Sequence, residues 1–100
     1  MKDINEISKA IEDGASRGID MVMDILESDM RMNAPIRTGR LKASIETDKL
    51  NNLKSEVGSD LYYAGYADYH RPYVDKTLKS NEDVIVDVIT DEIMRSINEL

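Results

Sequence analysis

The chain has 100 residues, a net charge of −7, one histidine and no cysteine. That length supports one modest core and a single domain over 1–100, and the missing cysteine excludes disulfides, zinc–thiolate sites and a thiol nucleophile. Charge is uneven: residues 1–33 carry four Lys/Arg against eight Asp/Glu and residues 80–100 carry one against six, while residues 34–58 carry five against three. An acidic chain lacks the phosphate-neutralising surplus of a general nucleic-acid binder.

The N-terminal residues have no apolar core of a signal peptide. No apolar run approaches the ~18 residues that span a bilayer, so a chain outside the membrane is expected. From Ile4 onward, Ile4, Ile7, Ile11, Ala15, Ile19, Val22, Leu26 and Met30 recur in steps of three and four. This predicts a long helix over 1–33 with one apolar stripe. At ~1.5 Å per residue it outruns a compact domain, so part of it should project or meet another subunit. Gly14 and Gly18 interrupt the pattern, and two readings stand: a smooth face for close helix approach, or a kink.

A junction follows over 34–45. Pro35 disfavours helix at Ala34, Thr38-Gly39 is turn chemistry, and Leu41 and Ile45 place apolar groups four apart beside Arg37, Arg40 and Lys42. A β-hairpin is expected over 43–59, turning at Asn51-Asn52. Two strands alone are marginal in water, so the hairpin must lean on a helix or on another chain. All five tyrosines fall within residues 62–73. Tyr62, Tyr66, Tyr69 and Tyr73 follow helical spacing, although the segment over 60–71 also alternates as a strand; the helix is the preferred reading. The rings could close the core or form an interface. Over 72–100, Val74, Leu78, Ile85, Ile89, Ile93, Ile97 and Leu100 form a second helical stripe, with Ser80-Asn81 as a break or N-cap. The expected fold is α+β: long N-terminal helix, small antiparallel hairpin, short Tyr-rich helix, and a C-terminal helix packed on the sheet.

Chemistry-bearing patterns are sparse. His70 has no second imidazole, no serine sits in a nucleophile-elbow sequence, and the adjacent acids Glu82-Asp83 and Asp91-Glu92 splay around a helix. No Gly-rich phosphate loop is present. No catalytic, cofactor or metal residues are assigned, and a non-enzymatic protein is expected.

The run Ala34-Pro35-Ile36-Arg37-Thr38-Gly39-Arg40-Leu41-Lys42-Ala43-Ser44-Ile45 resembles the A-P-x-x-T-G-x-L-x-x-S-I signature of tail-completion, or head–tail joining, proteins of long-tailed bacteriophages. Val57-Gly58 matches that family's glycine-ended strand, Tyr63-Ala64-Gly65-Tyr66-Ala67-Asp68 its Tyr-Ala-x-Tyr-x-acid element, and Pro72-Tyr73-Val74 its Pro-aromatic-aliphatic step. Two departures stand out: Asp68 replaces the usual glutamate, and His70-Arg71 replaces a Gly-Thr and a variable loop. The resemblance implies a virion structural protein assembling as a ring, a hexamer, between head connector and tail tube. It would occupy the host cytoplasm before assembly. Pro35, Arg37, Thr38, Gly39, Arg40, Leu41, Lys42, Ser44, Ile45, Tyr63, Ala64, Tyr66, Asp68, Pro72 and Tyr73 are the motif and interface candidates. The basic side chains would meet acidic surfaces of adjacent subunits or line a passive DNA channel, without sequence-specific recognition. The alternative from another class is a soluble acidic adaptor or regulatory protein.

Overall fold

The computed structural model describes residues 3–35, 39–59, 61, 64 and 72–100. Helix α1 runs unbroken from Ile4 to Asn33. Asp3 caps it, its carboxylate accepting from the Glu6 N–H at 2.8 Å, which satisfies one of the donors a helix start leaves open. Ala34 is already extended, with ψ 142°, as a residue before proline must tend to be. The molecule measures 58 × 23 × 17 Å with a radius of gyration of 16.4 Å. A compact chain of this length would have about 13 Å, so α1 sets an elongated shape.

The buried row of α1 is Ala10, Gly14, Gly18, Val22, Leu26 and Met30. From Val22 onward this is the expected stripe. Before it the stripe is corrected: Ile4 is 73% and Ile11 42% exposed, and the small residues beside them face inward. The reason is the partner helix. Arg40–Ser44 forms the short helix α2, so strand β1 spans Glu46–Asn51 and β2 spans Lys54–Gly58. Tyr73–Ser80 is α3, and Glu82–Asn98 is α4, running antiparallel to α1. A Cβ added at Gly14 would lie 2.6 Å from the Glu92 carbonyl oxygen and 2.7 Å from Ile93 Cα, and one at Gly18 would lie 2.8 Å from Ile89 Cα. Backbone therefore meets backbone. Of the two readings of the glycines, close approach holds and the kink does not.

This seat also corrects the expected place of the C-terminal helix: α4 packs on α1, along the glycine row, instead of on the hairpin. The hairpin leans on α1 as well. Its strands pair antiparallel, with Thr47 opposite Val57 and Asp48 opposite Glu56, and the ladder shifts register between Lys49 and Asn51. The reversal is held by Asn51, whose side-chain oxygen accepts from the Leu53 N–H at 2.9 Å, a local turn bond that asparagine favours. The β-branched run from Val84 to Ile89 is helical, as its continuation predicts. Asn81 divides α3 from α4; its side chain makes no N-cap bond to α4 but donates to the Thr77 carbonyl in the last turn of α3.

The core lies at the C-terminal end of α1. Met30, Ala34, Leu41, Ile45, Ala64 and Tyr73 are buried together, with Val57, Leu61 and Val74 packed against them. Met30 and Ile45 are both 0% exposed, and burial of each contributes about 1.5–3 kcal/mol. The expected Tyr-rich helix over 60–71 lies outside the described residues except at Leu61 and Ala64.

Candidate interaction surfaces

The junction is a built corner. Gly39 has φ 77°, in the left-handed region, directly before α2, where a side chain would be strained. This turn drops Leu41 and Ile45 into the core, as their spacing predicted. Ser44 then ties the corner to the hairpin. Its hydroxyl donates to the Leu41 carbonyl at 2.6 Å and lies 2.5 Å from the Ser59 hydroxyl. With the Ser44 proton spent on Leu41, Ser59 is the donor of that second bond. Ser59 in turn accepts from the Leu61 N–H at 3.2 Å.

Arg31 is a residue that sequence reasoning missed. Its Nε and Nη2 donate to the Ile45 carbonyl at 3.1 and 2.6 Å, and Nη2 also pairs with Glu27 at 2.7 Å. One guanidinium thus joins α1 to the chain between α2 and β1, using the fork that arginine provides. An i,i+4 Glu27–Arg31 pair was legible in the sequence; its reach to a carbonyl fourteen residues onward was not.

The motif residues divide by environment. Leu41, Ile45, Ala64 and Tyr73 converge in the core, and the Tyr73 hydroxyl donates to the Ala64 carbonyl at 3.4 Å. Tyr73 therefore closes the core. Pro35, Lys42 and Ser44 are half-buried, and Arg40 and Pro72 are exposed. Arg37, Thr38, Tyr63, Tyr66 and Asp68 lie outside the described residues, as does His70.

A second missed feature is polar. Asn33 donates to Thr77 Oγ1 at 3.0 Å, and Thr77 donates to the Tyr73 carbonyl at 2.7 Å. The Asn81 amide donates to Asp29 at 2.9 Å and to the Thr77 carbonyl at 2.8 Å. Thr77 and Asn81 are buried, so these bonds are needed to offset their desolvation; they fix α3 on the last turns of α1.

Open clefts are present among the described residues, two of them the larger. On the outward face of the hairpin one of about 530 Å³ is lined by Glu46, Asp48, Glu56, Gly58 and Ser59, among others. Asp48 and Glu56 stand directly opposite each other there, a repulsive cross-strand pair. Beside α1 and α4, one of about 510 Å³ is lined by Arg17, Asp20, Met21, Glu92, Arg95 and Glu99. Its ion pairs run Arg17–Glu92 at 3.3 Å, Arg95–Glu92 at 3.7 Å and Arg95–Glu99 at 3.5 Å. Among the described residues, no three His, Cys, Asp or Glu side chains are placed to hold a metal, and no helix is long and apolar enough to cross a membrane. What these surfaces offer is contact: charge, strand edges unpaired among the described residues, and aliphatic side chains.

Residues 1–69 match the family model described as "Bacteriophage HK97-gp10, putative tail-component". The match spans α1, the junction and the hairpin, and stops before α3. No curated protein and no solved structure gives a significant match. With more than half of its length matched, the chain belongs to the HK97 gp10-like family of bacteriophage tail components, which are structural and non-enzymatic.

Proposed function

We propose that the protein is a tail-completion, or head–tail joining, subunit that assembles as a ring between the head connector and the tail tube, with six copies as the expected number. Its partners would be further copies of itself and the connector and tail-tube proteins. The observation that carries this reading is the family match over the segment containing the junction motif. Physical support comes from what a lone subunit leaves open. Among the described residues its sheet has two strands, marginal without further partners, and a strand edge left unpaired there would offer backbone groups to a neighbour. The arm formed by α1 and α4 makes the molecule 58 Å long.

In this reading the hairpin strands and the long helix meet between subunits, and the basic junction meets acidic surfaces of adjacent rings or subunits. Pro35, Gly39 and Ser44 shape the junction, while Arg37, Arg40 and Lys42 supply its charge; the tyrosine segment with Tyr63, Tyr66 and Asp68 lies at a ring interface. DNA would pass through the ring without sequence-specific contacts. The test is deletion of the gene from the phage. Filled heads and finished tails that fail to join, with joining restored by the added protein, are expected in electron micrographs; normally joined particles lacking the chain overturn the reading. Arg40→Glu should give a folded subunit that fails to assemble, and normal assembly of that variant removes the junction from the interface.

A further inference from the structure

We infer that the Arg17–Glu92 pair is a register lock for the α1–α4 arm: it holds α4 in one of two seats, a helical turn apart, that the glycine seam would accept. This does not rest on the proposed ring.

The seam by itself repeats. On α1 the small residues Ala10, Gly14 and Gly18 recur every four positions, and on α4 so do Ile85, Ile89, Ile93 and Ile97. Gly18 faces Ile89, and Gly14 faces Ile93. Sliding α4 by four residues toward the start of α1, about 6 Å at helical rise, would set Ile85 on Gly18 and Ile89 on Gly14. Each glycine would again face an isoleucine. Only Ala10 adds a methyl, where Ile93 would arrive. The slide also has room: in this antiparallel register α4, ending at Asn98, stops level with Lys9, whereas α1 begins at Ile4, which is 73% exposed. It would cost the Asn81–Asp29 bond and extend the chain where α3 gives way to α4. The opposite slide meets Val22 in place of a glycine under Ile89.

Charge along the seam does not repeat. Glu92 is 8% exposed, and its carboxylate accepts from Arg17 Nε at 3.3 Å. Arg95 pairs with Glu92 and Glu99, but those three residues share α4 and move together. Of the ion pairs at this cleft among the described residues, Arg17–Glu92 alone crosses between the helices. After the slide Glu92 would leave Arg17 and meet Asp13, one turn earlier on the same face of α1. A buried carboxylate would then exchange a cation for an anion, and an uncompensated charge at such a site is strongly disfavoured. Arg17 would face Val88. A single polar residue that fixes register at some cost in stability is a known device of helix pairs, and one-turn slips of packed helices are a known form of switching. Register decides which side chains each flank of the arm presents, so a partner docking on the arm would read this pair.

The test is a distance along the arm. The chain has no cysteine, so Asn5→Cys with Asp83→Cys, both at exposed positions, places two spin labels selectively. Counted from the Gly18–Ile89 contact, the labelled positions lie about 28 Å apart along the axis. Double electron–electron resonance should give one narrow distribution in the otherwise wild-type chain. Glu92→Lys makes the present seat repulsive against Arg17 and the shifted seat attractive toward Asp13. The distance should then shorten by about 6 Å, with helicity by circular dichroism largely kept. Adding Asp13→Lys and Arg17→Glu inverts every sign and should restore the wild-type distance. A Glu92 that serves packing alone cannot be rescued in that way. The lock is overturned by a wild-type chain showing both distances, by a Glu92→Lys distance that stays put or broadens as α4 detaches, or by a triple variant that does not return to the wild-type distance.

Discussion

The two ends of α1 are held by opposite means. Toward the N-terminus, α4 approaches because Gly14 and Gly18 carry no side chains, and backbone atoms lie where a Cβ would go. Toward the C-terminus, the packing depends on side chains that are present, with Met30, Ile45 and Thr77 fully buried. One end tolerates no addition, the other no removal. The difference explains why one helix can be both an arm and a core element: a glycine seam makes a thin two-helix arm, while α2, α3 and the hairpin can surround only the far end.

The largest expected effect comes from removing volume at the core end. Ile45→Ala deletes most of a side chain that is 0% exposed, a class of change that costs about 2–5 kcal/mol. Thermal unfolding should register that loss, and hydrogen exchange should locate it in the hairpin and α2 before the arm. A variant as stable as wild type would contradict the packing described. Adding volume at the other end is next. Gly14→Ala removes a helix-interior glycine, which alone would gain about 1 kcal/mol. The new methyl must instead displace the Glu92 carbonyl and Ile93 Cα, and overpacking of this kind costs about 1–3 kcal/mol. Net destabilisation in chemical denaturation is expected, centred on α4; a stabilised protein would show that the seam is loose.

The same contrast marks what the sequence made legible. Long-period features came through: the helix over 1–33, the hairpin, the break at Ser80-Asn81 and the core roles of Leu41 and Ile45 depend on local spacing and turn chemistry. The face of α1 did not. Periodicity weights large apolar residues, so Ile4, Ile7 and Ile11 outranked Ala10, Gly14 and Gly18, although a partner backbone can approach closest over the smallest side chains. The seat of α4 on α1 was lost for the same reason. Arg31, Thr77 and Asn81 were missed because each acts through contacts between segments, at separations no local pattern encodes: Arg31 to Ile45, Asn33 to Thr77, Asp29 to Asn81. At the candidate surfaces, the junction motif was found by resemblance, whereas its division into core residues and surface charges needed the fold.

Glycines also sharpen the comparison away from the seam. Among the described residues nothing lies within 4 Å of a Cβ at Gly39, yet its φ of 77° lies where a Cβ is strained. Gly39→Ala should therefore cost about 1–2 kcal/mol through conformation alone. Gly58 likewise has nothing within 4 Å among the described residues and no positive φ, so Gly58→Ala should stay within about 0.5 kcal/mol of wild type, as surface changes usually do. Denaturation midpoints of the pair read this directly. Equal effects would mean that the turn at Gly39 relaxes.

The smallest effect is expected where the two ends meet. Lys49 on β1 pairs with Asp20 on α1 at 3.2 Å, with the two side chains 47% and 52% exposed. It bridges the arm and the hairpin, and on position alone it could be taken for the strut that couples them. The energetics argue otherwise. Both charges remain in contact with water, both long-range attraction and geometry are diluted by solvent, and exposed pairs of this kind contribute about 0.2–1 kcal/mol. Asp20→Asn should lower stability by no more than that, with most of the difference gone at high salt. The hairpin is instead held by Val57 against the core and by the Ser44–Ser59 bond at its base, so Val57→Ala should loosen it more than Asp20→Asn does. If hydrogen exchange across Glu46–Asn51 responds more to Asp20→Asn, the coupling runs through the ion pair, and the division into a seam-held arm and a side-chain-held core must be redrawn around it.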